Sequence, residues 1–340
     1  MTNFWKLAAV SAALLLTGCR GCEAEKRDET VHMNPPPPAS SAPPVPPVPS
    51  GVGKSQGGPI PLLEHLRFTR RSEGVQFVNP TPAEGKAFVS WVTAVSRAAW
   101  SDRLPFEAAP AGFEGVLAEL GTLWLLREKS SHRRGAGAYV LRASVGRPLI
   151  LQAPHTFFDA GTLPIATRLF EGLQAKALLI NTVHRSGGRE GEGEEEKEKA
   201  RGGKSEADVA HNRESFYSLV HQALLSLDPT LLVVQIHGFR DSKVPGVDLV
   251  VSAARTQADI KPMGQSMKAL LGSNRVRLYP DEVKVLGGTT NAQASLSREH
   301  RASFIHLELS ATLRKTLEKD DEFFAKFLQA FSLAIPEGRR

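Results

Sequence analysis

Four residues that can do chemistry stand where short apolar runs end: His155 after PLILQAP, Arg185 after ALLINTVH, His237 after LLVVQI, and Glu308 late in FIHLEL. Neutral imidazole and carboxylate form a normal ligand set for zinc. A carboxylate four residues past a strand-end histidine can reach the same ion, so His155 and Asp159 make a candidate pair. His237, at the end of another run, would complete three protein ligands and leave one position open, as a catalytic zinc requires. Gly238 directly after it permits close approach of backbone or substrate. Strand period two puts Phe304, His306 and Glu308 on one face, with Ile305, Leu307 and Leu309 on the other. Glu308 is then the acid nearest the strand end, a general base that takes a proton from water and passes it to a leaving nitrogen. Arg185 and Arg213 offer bidentate partners for a substrate carboxylate. Structural alternatives stay open: Asp159 as the cap of a helix starting near Thr162, His306 as a core residue, Glu308 paired with Arg314.

Distant residues of this kind meet only if the strands carry them to one edge. The runs 148–153, 177–183, 231–236, 247–251, 276–278 and 304–309 read as strands, and 139–142 as a further one. Helices are expected over 162–175, 206–227, 264–272, 291–301 and 311–334, and over 82–99, where Phe88, Trp91, Val92 and Val95 share a face. The stretch 114–127 is mixed. Apolar strands alternating with amphipathic helices predict an α/β fold with a mostly parallel central sheet covered on both faces. In such a sheet the carboxyl ends of the strands share one edge, where ligands bind.

With those residues in place, the order Pro154-His155, Arg185, Asp208 to Asn212-Arg213, His237-Gly238 and Glu308 resembles the N-formylglutamate amidohydrolase family. Zinc carboxypeptidases and zinc muramoyl amidases are more distant likenesses. The resemblance spans roughly residues 145–315 and implies a phosphorylase/hydrolase-like fold and one zinc used to cleave an amide bond. It makes His155 and His237 zinc ligands, Glu308 the general acid/base, and Arg185, Asn212 and Arg213 substrate-binding residues. The carboxypeptidases place an acid three residues after the first histidine, but position 158 here is Phe; the acidic ligand is Asp159 or, by likeness to the muramoyl amidases, Glu171.

Composition narrows the rest. The 340 residues carry 42 Lys+Arg against 36 Asp+Glu, without the dense basic tract of a nucleic-acid binder, so no nucleic-acid partner is expected. The two cysteines, Cys19 and Cys22, leave no thiolate metal site for the rest of the chain. No nucleophile elbow, phosphate loop or dinucleotide fingerprint occurs. Residues 1–18 read as a signal peptide ending in Leu16-Thr17-Gly18-Cys19, which resembles the bacterial lipoprotein box with Cys19 as the lipidated residue. Residues 19–58 form a Pro-rich linker, 59–145 an N-terminal region packing on the catalytic domain, and 146–336 that domain, interrupted by the low-complexity insert 186–204. The expectation is a monomeric zinc hydrolase with a small-molecule or peptide substrate, lipid-anchored on the extracytoplasmic side of an inner or outer membrane. A non-catalytic envelope-binding or solute-binding lipoprotein is the alternative.

Overall fold

The computed structural model describes residues 61–69, 75–101, 108–118, 122–143, 146–187, 205–254 and 260–335. The leader, Cys19, the linker and nearly all of the insert lie outside them. Residues 56–340 cluster as one unit.

Nine strands form one sheet: β1 (Phe113–Ala118), β2 (Leu123–Glu128), β3 (Ala138–Arg142), β4 (Arg147–Ala153), β5 (Ala175–Ile180), β6 (Leu232–Phe239), β7 (Leu249–Ala253), β8 (Val276–Leu278) and β9 (Phe304–Ser310), in the order β1-β2-β3-β5-β4-β6-β9-β7-β8. Only the centre, β5-β4-β6-β9, is a continuous parallel block. β1 to β3 run antiparallel to one another and onto β5, and β7 runs antiparallel to β9, with β8 parallel to β7. The sheet is therefore mixed rather than mostly parallel. The cause is loop length: β1 to β2 and β6 to β7 are joined without a crossover helix, and a parallel return needs a dozen or more residues.

The described helices are α1 (Leu62–Thr69), α2 (Pro82–Trp100), α3 (Thr162–Leu173), α4 (Phe216–Leu227), α5 (Lys261–Leu271), α6 (Ala292–Glu299), α7 (Ala311–Lys319) and α8 (Asp321–Ala334). They cover both faces of the sheet. Leu66, Leu169, Met263, Leu317 and Phe327 meet Val234, Ile305 and Leu307 in one core, while Trp91, Val220 and Ala294 meet Ile150, Val233 and Phe304 in the other. Strands buried on both sides must be apolar throughout, which is why β4, β5, β6 and β9 are readable in the sequence. The expected helix over 206–227 begins only at Phe216, capped by Ser215, because 205–214 is a series of turns. The expected helix over 311–334 is two, parted at Asp320, whose carboxylate accepts from Phe323 N at 2.9 Å. No described helix is long and apolar enough to cross a membrane.

Candidate metal centre

His155 stands two residues beyond β4, in a tight turn in which the Asp159 N–H donates to the His155 carbonyl at 2.7 Å. That turn folds the Asp159 side chain back over the His155 ring. The cap of α3 is Gly161 (φ 90°), and no side chain caps that helix, so Asp159 is not spent there. His237 lies near the carboxyl end of β6, directly opposite Glu308 of β9.

Three atoms converge. His155 Nδ1 and His237 Nδ1 are 3.1 Å apart, and each is 3.5 Å from Asp159 Oδ2. A tetrahedral zinc with N and O ligands at about 2.0–2.1 Å sets those ligands about 3.3 Å apart. The other ring nitrogens fix which tautomer is present. His155 Nε2 donates to Asp208 Oδ1 at 2.9 Å and His237 Nε2 donates to Gln235 Oε1 at 2.8 Å, so both Nδ1 atoms turn lone pairs inward. Asp159 Oδ2 is buried with no hydrogen-bond partner. With both rings neutral, three acceptors face one point with no donor among them and repel one another unless positive charge sits between, and the residues fit a zinc-like cation. The same field acts on protons. Burial disfavours charge on His155, but the Asp159 and Asp208 carboxylates beside it outweigh burial and push it up to about 9. Burial pulls His237 down to about 4 against the pull of Asp159.

Outer contacts hold these side chains. Asp208 also takes Arg185 Nη2 at 2.7 Å and lies 3.1 Å from His211 Nδ1; despite burial, the His155 and His211 rings beside it and the Arg185 charge keep it well below the carboxylate range. Gln235 is held in turn by a buried amide chain. Its Nε2 donates to Gln152 Oε1 (2.9 Å) and Gln293 Oε1 (3.1 Å), and Asn291 Nδ2 donates to its Oε1. Gln152 Nε2 donates to His221 Nδ1 at 2.9 Å, and His221 Nε2 meets Ser297 Oγ at 3.2 Å.

Glu308 lines the same cleft as His155, Asp159 and His237. Its carboxylate, His306 and His237 offer ligand atoms within 4.8 Å of one another, with His306 Nε2 3.8 Å from Glu308 Oε1. Burial first, and the nearby Asp159 charge second, push Glu308 up to about 8, a proton affinity suited to taking and returning a proton near neutrality. The His306 ring lies 4.6 Å from that of His237 and is held neutral by burial.

The site opens into a cleft of about 760 Å³ whose walls include Phe158, Arg185, Arg240, Lys243, Thr290 and Arg314. Arg185 sits at its edge, stacked 5.0 Å from the Phe158 ring. Thus His155, Asp159, Arg185, His237 and Glu308 come together. Asn212 and Arg213 do not. Asn212 bonds Asn79 and the Glu206 carbonyl, and Arg213 makes a bidentate ion pair with Glu299 on the surface. Glu171 lies nine residues along α3 from Thr162, about 13 Å at the rise of a helix, and outside the cleft walls. The sequence reading missed the supporting amides. Their signal was there: Gln152 and Gln235 interrupt the apolar runs of strands buried on both faces.

No protein-family model matches the chain, and no curated protein matches it. It is similar in structure to the N-formylglutamate amidohydrolase from Ralstonia eutropha JMP134, at 12% identity over 58% of this chain and 94% of that one, TM-score 0.36. It is similar also to the succinylglutamate desuccinylase from Chromobacterium violaceum, at 13% identity over 73% and 77%, TM-score 0.37. A third likeness is the CwlD amidase from Clostridioides difficile, solved with the GerS lipoprotein, at 12% identity over 55% and 95%, TM-score 0.32.

Proposed function

We propose that the chain is a zinc-dependent hydrolase of an amide or peptide bond adjacent to a carboxylate, in an N-acyl amino acid or a cell-wall peptide. The observation that carries the reading is the convergence of His155 Nδ1, His237 Nδ1 and the unpartnered Asp159 Oδ2. A bound zinc would polarise a carbonyl and acidify water. His155, Asp159 and His237 hold the ion; Asp208 and Gln235 orient the two rings. Glu308 moves the proton, taking it at its carboxylate and returning it to the leaving nitrogen. Arg185, braced by Asp208 and Phe158, receives the substrate carboxylate. The Leu16 to Cys19 box supports lipid anchoring through Cys19 and a position on the extracytoplasmic side of a bacterial membrane.

Elemental analysis of the purified protein should find one zinc per chain, absent from His155→Ala and His237→Ala. Glu308→Gln should keep the zinc and lose turnover of N-acyl amino acids or muropeptides by about 10²- to 10⁴-fold. Zinc that survives both histidine changes overturns the site, and ligand binding by wild type and Glu308→Gln with product from neither makes the chain a receptor. Palmitate labelling that persists in Cys19→Ser would remove the anchor.

A further inference from the structure

We infer that Arg314 is a positioning residue that ties together the three chain segments bearing Asp159, His237 and Glu308. The inference rests on the metal reading above and adds to it the part of the fold that holds the site in register.

α7 follows β9 directly, its first turn capped by Ser310, so Arg314 lies just beyond the strand that carries Glu308. Its side chain is only 8% exposed, and its donors go to backbone carbonyls. Nε donates to Ala160 O at 2.7 Å; Nη1 donates to Phe239 O at 3.2 Å and to Leu309 O. These carbonyls belong to the residue after Asp159, the second residue after His237 and the residue after Glu308. Thus one planar group bonds all three segments at the point where each delivers its functional side chain.

Ladder hydrogen bonds already couple β6 to β9, as far as Phe239 and Ser310. The turn 155–161 belongs to no ladder, and the Nε bond to Ala160 ties the residue next to Asp159 directly to that pair. Asp159 is also the ligand whose inward oxygen has no protein partner, so its position depends most on the backbone beneath it. Gly238 completes the device. A Cβ built there would collide with Arg314 Nη1 and Cζ and lie 2.8 Å from Nε, so the guanidinium packs against bare backbone next to His237. The close approach that Gly238 permits is therefore made by a side chain from α7. Lysine cannot replace this fork, because its single nitrogen cannot reach carbonyls on three segments at once.

The test titrates the full chain with Zn²⁺ in competition with a chelator and records the visible spectrum of the Co²⁺ form. Wild type, Arg314→Lys and Gly238→Ala are compared, with far-UV circular dichroism on each. Arg314→Lys should bind Zn²⁺ about 10- to 100-fold more weakly and shift the cobalt bands. Gly238→Ala leaves Arg314 in the chain but displaces its guanidinium, and should do the same; it carries the test if the lysine variant does not fold. Loss of folding stability alone would leave the cobalt spectrum in place. Folded variants with wild-type affinity and spectrum overturn the positioning role while the metal reading stands. A wild type that binds neither ion removes both.

Discussion

His155 and His237 turn the same nitrogen toward the same point for different reasons: one is set by a carboxylate on a turn, the other by an amide in its own strand. The residues that converge at this point, His155, Asp159 and His237, could be picked out in the sequence because imidazole and carboxylate at strand ends are few. The amides behind them could not, since Asn and Gln are common and their partners lie far along the chain, as Gln152 lies 83 positions from Gln235. Asn212 and Arg213 show the converse: their order in the chain fitted the resemblance, but the turns over 205–214 aim them at Asn79 and Glu299. At this scale His221 gives a test. Burial, and then the charge of His300, hold it down to about 3 from 6.5. Between those values the unfolded chain carries a proton that the folded chain refuses, so stability falls as the pH falls through 6.5. From pH 7 to pH 5 this group should cost about 2 kcal/mol, and urea unfolding of His221→Gln should show that much less loss than wild type.

Among the elements, β4, β5, β6 and β9 were readable as apolar runs, whereas β1 and β2 were not. The half-buried run over 114–127 alternates too weakly to separate two antiparallel strands from a helix. The break between α7 and α8 was missed because both helices are amphipathic on the same side of the sheet, and only Asp320 marks the boundary. Asp320 ends one helix and caps the next, so Asp320→Ala should lower stability by about 1 kcal/mol in urea unfolding. A change near zero would mean that packing of Phe324, Phe327 and Phe331 alone sets the break.

For the whole molecule, the main consequence of the mixed sheet is that the described residues between 61 and 143 are part of the core. β3 bonds along β5, and Phe88 and Phe113 pack against Phe216 of α4 at 4.8 and 5.3 Å between ring centroids. A chain beginning at residue 146 would expose the β5 edge together with that aromatic cluster. It should be insoluble or self-associated, and a monodisperse monomer in size-exclusion chromatography would show that the remainder folds alone.

The amide chain beneath His237 also has a sense of direction. Each carboxamide can point only one way, because its oxygen and its nitrogen meet partners of fixed type. From the proton on His237 Nε2 one can therefore deduce the facing of Gln235, then that of Gln152, and then which nitrogen of His221 is bare, two strands and a helix away. Reversing any one link would require turning over all the others, so His237 and the histidine in α4 share a single tautomeric state.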